Sequence, residues 1–209
     1  MALGLNIAEA GDGGSTGDII PIIKYDAKGG DLIAVNRHQA DDGQWVKDEV
    51  EISLPTNFVM DMENIEVGWL AFIGGRPDFV MAKLGEPMPA KPSKEHKQAF
   101  RLRIGSTECG LREFSHSAKT VLRPMNELHD KYVAEKEGHK GLMRVVKWAG
   151  VERVKVQGKE GELVFKAPIW EIESWVDRPD FFDAASAPDN TPEPAAAQSS
   201  GDETPAPLF

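Results

Sequence analysis

Between Arg144 and Lys166, six cations (Arg144, Lys147, Arg153, Lys155, Lys159 and Lys166) are interleaved with Trp148 and Phe165. Cations follow a phosphate backbone while aromatic faces stack on bases, and stacking contributes ~1–3 kcal/mol per base whatever the base. This chemistry suits single-stranded nucleic acid. Strand geometry limits which of these residues share a face. Arg153 and Lys155 lie together, Val154 and Val156 point the other way toward a core, and Trp148 points away from Lys147. Trp148, Trp170 and Trp175 also read as core residues, because Trp is highly buried on average. A second set lies in FRLRIG, where Phe100, Leu102 and Ile104 alternate with Arg101 and Arg103. That pattern predicts a strand with one buried face, whose outward arginines either extend the same groove or form a solvated surface.

Catalytic and metal chemistry find less support. Cys109, His116, His129 and His139 are the nearest approach to a soft-ligand cluster, and their spacing matches no zinc pattern of paired ligands. Cys109 and His116 lack the flanking signature of a thiol nucleophile. The Gly74-Gly75-Arg76-Pro77 stretch is a turn with neither a phosphate-binding lysine nor a following helix. The pairs Asp41-Asp42 and Asp48-Glu49 lie beside turns, where solvated charge is the simpler reading. The expectation is a non-enzymatic protein with no cofactor and no metal. An enzyme acting on nucleic acid through carboxylate-bound metal is a third reading, with no residue pair to name for it.

These side chains need a scaffold, and the periodicity points to strands. IIPIIKYDA and DLIAVNR flank Gly29-Gly30, IEVGWLAFI and DFVMAKL flank Gly74-Gly75, and EVEISLP alternates Val50, Ile52 and Leu54 with polar residues. GEPMPAKPSKEHK, with three prolines and three lysines, reads as a mobile basic loop able to grip phosphate. Helical spacing follows, with Val121, Leu122, Met125, Leu128 and Tyr132 as the apolar stripe. Pro124 places the regular start near Arg123, and Gly138 stops the helix. LMRVVKWAGVERVKVQ and ELVFKAPIWEIESWV complete the strands across a turn at residues 158–161. Several strands, one helix and two late strands predict a mainly β fold. The order is compatible with an OB-fold-like Greek-key barrel with added strands, whose open face binds oligonucleotides, and equally with other β-rich folds. Residues 19–182 form this one domain. Residues 1–18 read as a flexible N-terminus, and residues 183–209, with no Lys or Arg and five acidic side chains, as a disordered tail.

The formal charge of −10 conceals a partition. Residues 1–80 carry 5 basic and 14 acidic side chains, residues 81–170 carry 18 and 11, and residues 171–209 carry 1 and 9. A basic middle between acidic ends suits a polyanion-binding surface with an acidic interaction tail. It also suits a basic segment that folds against its own acidic N-terminal third. No apolar run approaches the ~18–20 residues that span a bilayer, no signal peptide is evident, and a single cysteine fits a reducing compartment.

In the tail, Asp202 and Glu203 precede Pro205 and Pro207, with Leu208 and Phe209 as an apolar anchor. GDETPAPLF resembles the acidic, Pro-containing, Phe-ended tails of bacterial single-stranded DNA-binding proteins, and phage counterparts similarly end in an acidic stretch and an aromatic residue. The likeness covers the C-terminal residues and the general layout, and this tail is less densely acidic than the family's pattern. The resemblance implies sequence-independent binding of single-stranded DNA in the cytoplasm of a bacterial or phage-infected cell. It also implies recruitment of replication or recombination proteins through Asp202, Glu203, Leu208 and Phe209. Self-association is compatible with it, and no membrane role is expected. The alternative is a β-rich structural or interaction protein without DNA affinity, such as a phage structural component.

Overall fold

The structure is a computed structural model that describes residues 20–40, 42–158 and 161–184. Two glycine pairs set two hairpins. Gly30, at φ 84°, turns β1 (Ile22–Asp26) into β2 (Asp31–Gln39). Gly74 and Gly75, at φ 59° and 79°, turn β5 (Glu66–Ile73) into β6 (Arg76–Lys83), a backbone that side-chain-bearing residues adopt only under strain. The remaining strands are β3 (Trp45–Ile52), β4 (Thr56–Met60), β7 (Lys97–Ser106), β8 (Gly110–His116), β9 (Met143–Gly158) and β10 (Gly161–Val176). Helix α1 (Lys119–Glu135) lies between β8 and β9, and a short α2 (Phe181–Ala184) follows β10.

All ten strands belong to one sheet, ordered β10-β9-β4-β7-β8-β1-β2-β3 along its main path. The sheet forks at β7. One edge of β7 pairs with β5 along residues 97–101 and with β4 at residues 104–105, a 3-10 turn at Met62–Asn64 separating the two partners. The other edge of β7 pairs with β8, and β1 joins β8 in parallel. The chain is mainly β, and the sheet curls into a half-barrel with its one long helix between late strands, as the pattern predicts. The curl closes partly where β10 meets the β1–β2 turn. Lys166 N–H donates to Ala27 O at 2.8 Å, and the Tyr25 hydroxyl donates to Lys166 O at 3.0 Å.

The core sits between the curled sheet and α1. Phe58, Leu102, Ile104, Phe114 and Val146 from the strands meet Val121, Met125 and Leu128 from the helix. The α1 stripe is the predicted one, but the helix starts at Lys119, so Pro124 lies inside it rather than near its first residue. The earlier start has a local cause. The Ala118 N–H donates to His116 Nδ1 at 2.9 Å, and the Ala118 carbonyl accepts from the N–H groups of Val121 and Leu122.

Three further expectations are corrected. The alternation of Val50, Ile52 and Leu54 buries only the middle residue in part, because β3 ends the sheet and leaves Val50 and Leu54 exposed. The basic segment after Gly85 is pinned rather than free: Trp69 Nε1 donates to Pro89 O at 2.8 Å, and buried His96 bonds Ser93 and Asp78. Val154 and Val156 do not enter a core, since the outer half of the β9–β10 ribbon stands away from it. Strands β4 and β8 escape the sequence pattern. The expectations for residues 1–18 and for the tail residues Asp202, Glu203, Leu208 and Phe209 lie outside the described residues.

Candidate functional site

Strand register decides which of the predicted cations meet. Alternation on β7 sends Phe100, Leu102 and Ile104 into the core and Arg101 and Arg103 to the outer face. Paired residues share a face, so Glu66 and Lys83 join Arg101 from β5 and β6, and Glu113 joins Arg103 from β8. The same registers place Phe79 opposite Leu70, and Phe72 two residues further toward the hairpin tip. Phe79 stacks under the Arg101 guanidinium at 5.2 Å, and Phe72 is 70% exposed.

The result is a shallow cleft of about 410 Å³ that contains four cations, Lys83, Arg101, Arg103 and Arg178, and three carboxylates, Asp61, Glu66 and Glu113. Arg101 Nε donates to Glu66 Oε2 at 2.6 Å, with Glu113 Oε2 4.0 Å away on the opposite strand. Arg178 stands 3.8 Å from Asp61 and lies over Phe182, whose ring is fully buried. Phe181 of α2 covers Gly105, where any Cβ would fall 2.5 Å from its ring, so α2 closes one end of this face. The other end opens past Phe79 and exposed Lys97 toward Phe72. Burial pushes the Glu113 carboxyl above the usual carboxylate range; Arg101 and Arg103 pull it back, and Glu66 adds to the rise.

The other predicted site residues are dispersed. Trp148 is 2% exposed and packs in the core with Trp170, so it offers no face to a base. Arg144 is 1% exposed, lies 4.4 Å over the Trp175 ring and ion-pairs with Glu135 at 2.8 Å, which ties the end of α1 to β9. Both are corrections with one cause: β9 runs through the middle of the sheet at this point, paired on both edges. Lys147 reaches the outer face but sits between Glu171 at 3.7 Å and Glu173 at 3.4 Å. Arg153 and Lys155 share an exposed face of the ribbon, as expected, with Lys155 paired to Glu162 at 2.8 Å. Phe165 pairs with Val154 on the opposite face, so it is not a platform beside those cations. Lys166 is part-buried, and its ammonium donates to Gly29 O, which makes it a closure residue of the half-barrel. Lys159 lies outside the described residues.

Sequence reasoning found Arg101 and Arg103, and Lys97 only as the end of a basic loop, but missed Phe79, Phe72, Lys83, Glu66 and Glu113. The hairpin turn at Gly74-Gly75 could have aligned Phe79 with Leu70; the pairing of β5 with β7, distant in sequence, could not be read from spacing. Among the described residues no group of three or more His, Cys, Asp or Glu side chains could hold a metal ion, and no helix is long and apolar enough to cross a membrane. Comparison with known protein families, characterised proteins and solved structures gives no match for this chain.

Proposed function

We propose that the protein binds single-stranded DNA, without sequence preference, across the outer face of β5, β6, β7 and β8. The observation that carries this reading is the Arg101–Phe79 stack, set among Arg103, Lys83 and Lys97, with exposed Phe72 beyond it. Cations sit there beside base-sized aromatic faces on an open sheet, the arrangement that holds a flexible strand by phosphate contact and stacking together. A duplex keeps its base faces stacked inside, so it offers nothing for an aromatic ring to stack on and gains only the cation part. The reading involves no catalytic step.

Anisotropy of a labelled thymidine oligonucleotide of about 30 nucleotides, titrated between ~50 and ~200 mM salt against a duplex of equal length, tests this. Preferred binding of the single strand that weakens with salt supports the proposal; equal or absent binding defeats it. Anisotropy is the better readout, because Trp148 and Trp170 lie in the core and report poorly on a surface ligand.

A second reading, a β-rich interaction protein without DNA affinity, is favoured by one observation. Lys147, Lys155, Arg144 and Arg101 all face carboxylates of their own chain. The duplex and single-strand titrations would then both be flat.

A further inference from the structure

Resting on the single-strand reading above, we infer that Glu66 and Glu113 are specificity-determining residues of this face: they occupy Arg101 as built-in anions, so that only a ligand carrying several phosphates displaces them. Arg101 stands on the central strand of the face, and a carboxylate reaches toward it from each flanking strand. Glu66 lies at 2.6 Å from β5 and Glu113 at 4.0 Å from β8. The sheet register fixes both, because Glu66 pairs with Arg101 and Glu113 with Arg103. Neither carboxylate can leave as a free counterion does.

The consequence is a threshold. A lone phosphate that approaches Arg101 meets two fixed negative charges within a few ångströms, in a half-buried cleft where screening is weaker than in bulk water. It finds one guanidinium already engaged. A strand that also places phosphates at Lys97, Lys83 and Arg103, with a base on Phe79, gathers several contacts against the same repulsion. Mononucleotides and inorganic phosphate are therefore refused, while oligonucleotides are held. Asp61 does not share this role, because it is turned to Asn64 at 2.9 Å and to Arg178.

The test uses the full chain as wild type, Glu66→Gln and Glu113→Gln, with Glu51→Gln on exposed β3 as a control for loss of one negative charge. Each is titrated with the thymidine oligonucleotide by anisotropy and with thymidine 5′-monophosphate by calorimetry, and thermal melts verify folding. The expected result is roughly tenfold tighter oligonucleotide binding by each site variant, measurable monophosphate binding only in those variants, and no more than about a twofold change in the control. Oligonucleotide binding by wild type that is unchanged or weakened in both site variants overturns this inference and leaves the single-strand reading standing. The same holds if the control tightens as much as they do. Failure of every protein to bind the oligonucleotide defeats both. If one site variant does not fold, the other decides.

Discussion

Replacing Lys166 with methionine separates the two roles this residue could have. The long stem stays and packs on Gly30, where an added Cβ would fall 2.5 Å from Lys166 Cδ and 3.1 Å from its Cβ. The backbone bond from Lys166 N–H to Ala27 O and the Tyr25 hydroxyl bond to Lys166 O also stay. What is lost is the ammonium bond to Gly29 O. A hydrogen bond to a charged group contributes ~1.5–3 kcal/mol, and partial exposure reduces this to about 1–2 kcal/mol. For a domain of this size each kcal/mol moves Tm by ~2–4 °C, so a fall of about 2–8 °C is expected by thermal circular dichroism. Gly30→Ala should fall further, because its φ of 84° strains any other L residue and its Cβ meets the same stem. Oligonucleotide affinity at a temperature where both proteins are folded should change less than about twofold, and the slope of log K against log salt should hold. An unchanged Tm, with affinity reduced several-fold and the salt slope lowered by about one, would refute the closure role and return Lys166 to the DNA surface.

Phe79→Ala should weaken oligonucleotide binding by roughly 5- to 150-fold, the range expected for one stacked base, whereas Arg153→Ala with Lys155→Ala should stay within about threefold. A reversed order in the anisotropy titration would move the site to the β9–β10 ribbon. His116 is held below the usual imidazole range by burial; its Nδ1 accepts from Ala118 N–H, and its other ring nitrogen lies 3.3 Å from Tyr25 O. The folded state thus binds this proton less well than the unfolded chain, so its stabilising contribution is complete above the ordinary His value of ~6.5 and is lost as pH falls through the lower folded pKa. His116→Asn should flatten part of the Tm decline on acidification, and His129, also lowered by burial, contributes in the same direction; a melt series whose slope is untouched would contradict this. Trp148→Ala should cost ~3–5 kcal/mol as a core cavity and lower the denaturant midpoint sharply. Full stability with lost DNA binding would contradict its core placement.

The local pieces of the fold were legible because they obey short-range rules. Gly29-Gly30 and Gly74-Gly75 marked their hairpins, the spacing of Val121, Met125, Leu128 and Tyr132 marked one helical face, and residues 143–176 read as two long strands. Strand β4 was missed because Thr56–Met60 is short and begins two residues after β3's apolar alternation has run out at Leu54. The fork of the sheet was not legible at all. It depends on β7 dividing one edge between β4 and β5, a pairing of residues some thirty to forty-five positions apart in sequence that alternation cannot encode.

The same limit governs the site. The sequence pattern picked out residues 144–166 because cations and aromatic residues interleave there, yet proximity along the chain is not proximity in space. Along that run the fold supplies acids beside the bases: Glu171 and Glu173 at Lys147 and Glu162 at Lys155 from β10, and Glu135 at Arg144 from the end of α1. Lys166 is spent on a backbone carbonyl. On β7 the balance differs. Two arginines on one face of a single strand are flanked by Lys83 and Lys97, and an aromatic ring lies under one guanidinium. That ring comes from a hairpin strand that does not itself pair with β7, so only the three-strand register β6-β5-β7 brings Phe79 to Arg101. A basic surface is therefore defined by which charges the fold leaves incompletely matched, and Arg101 is shared between two carboxylates and a ring.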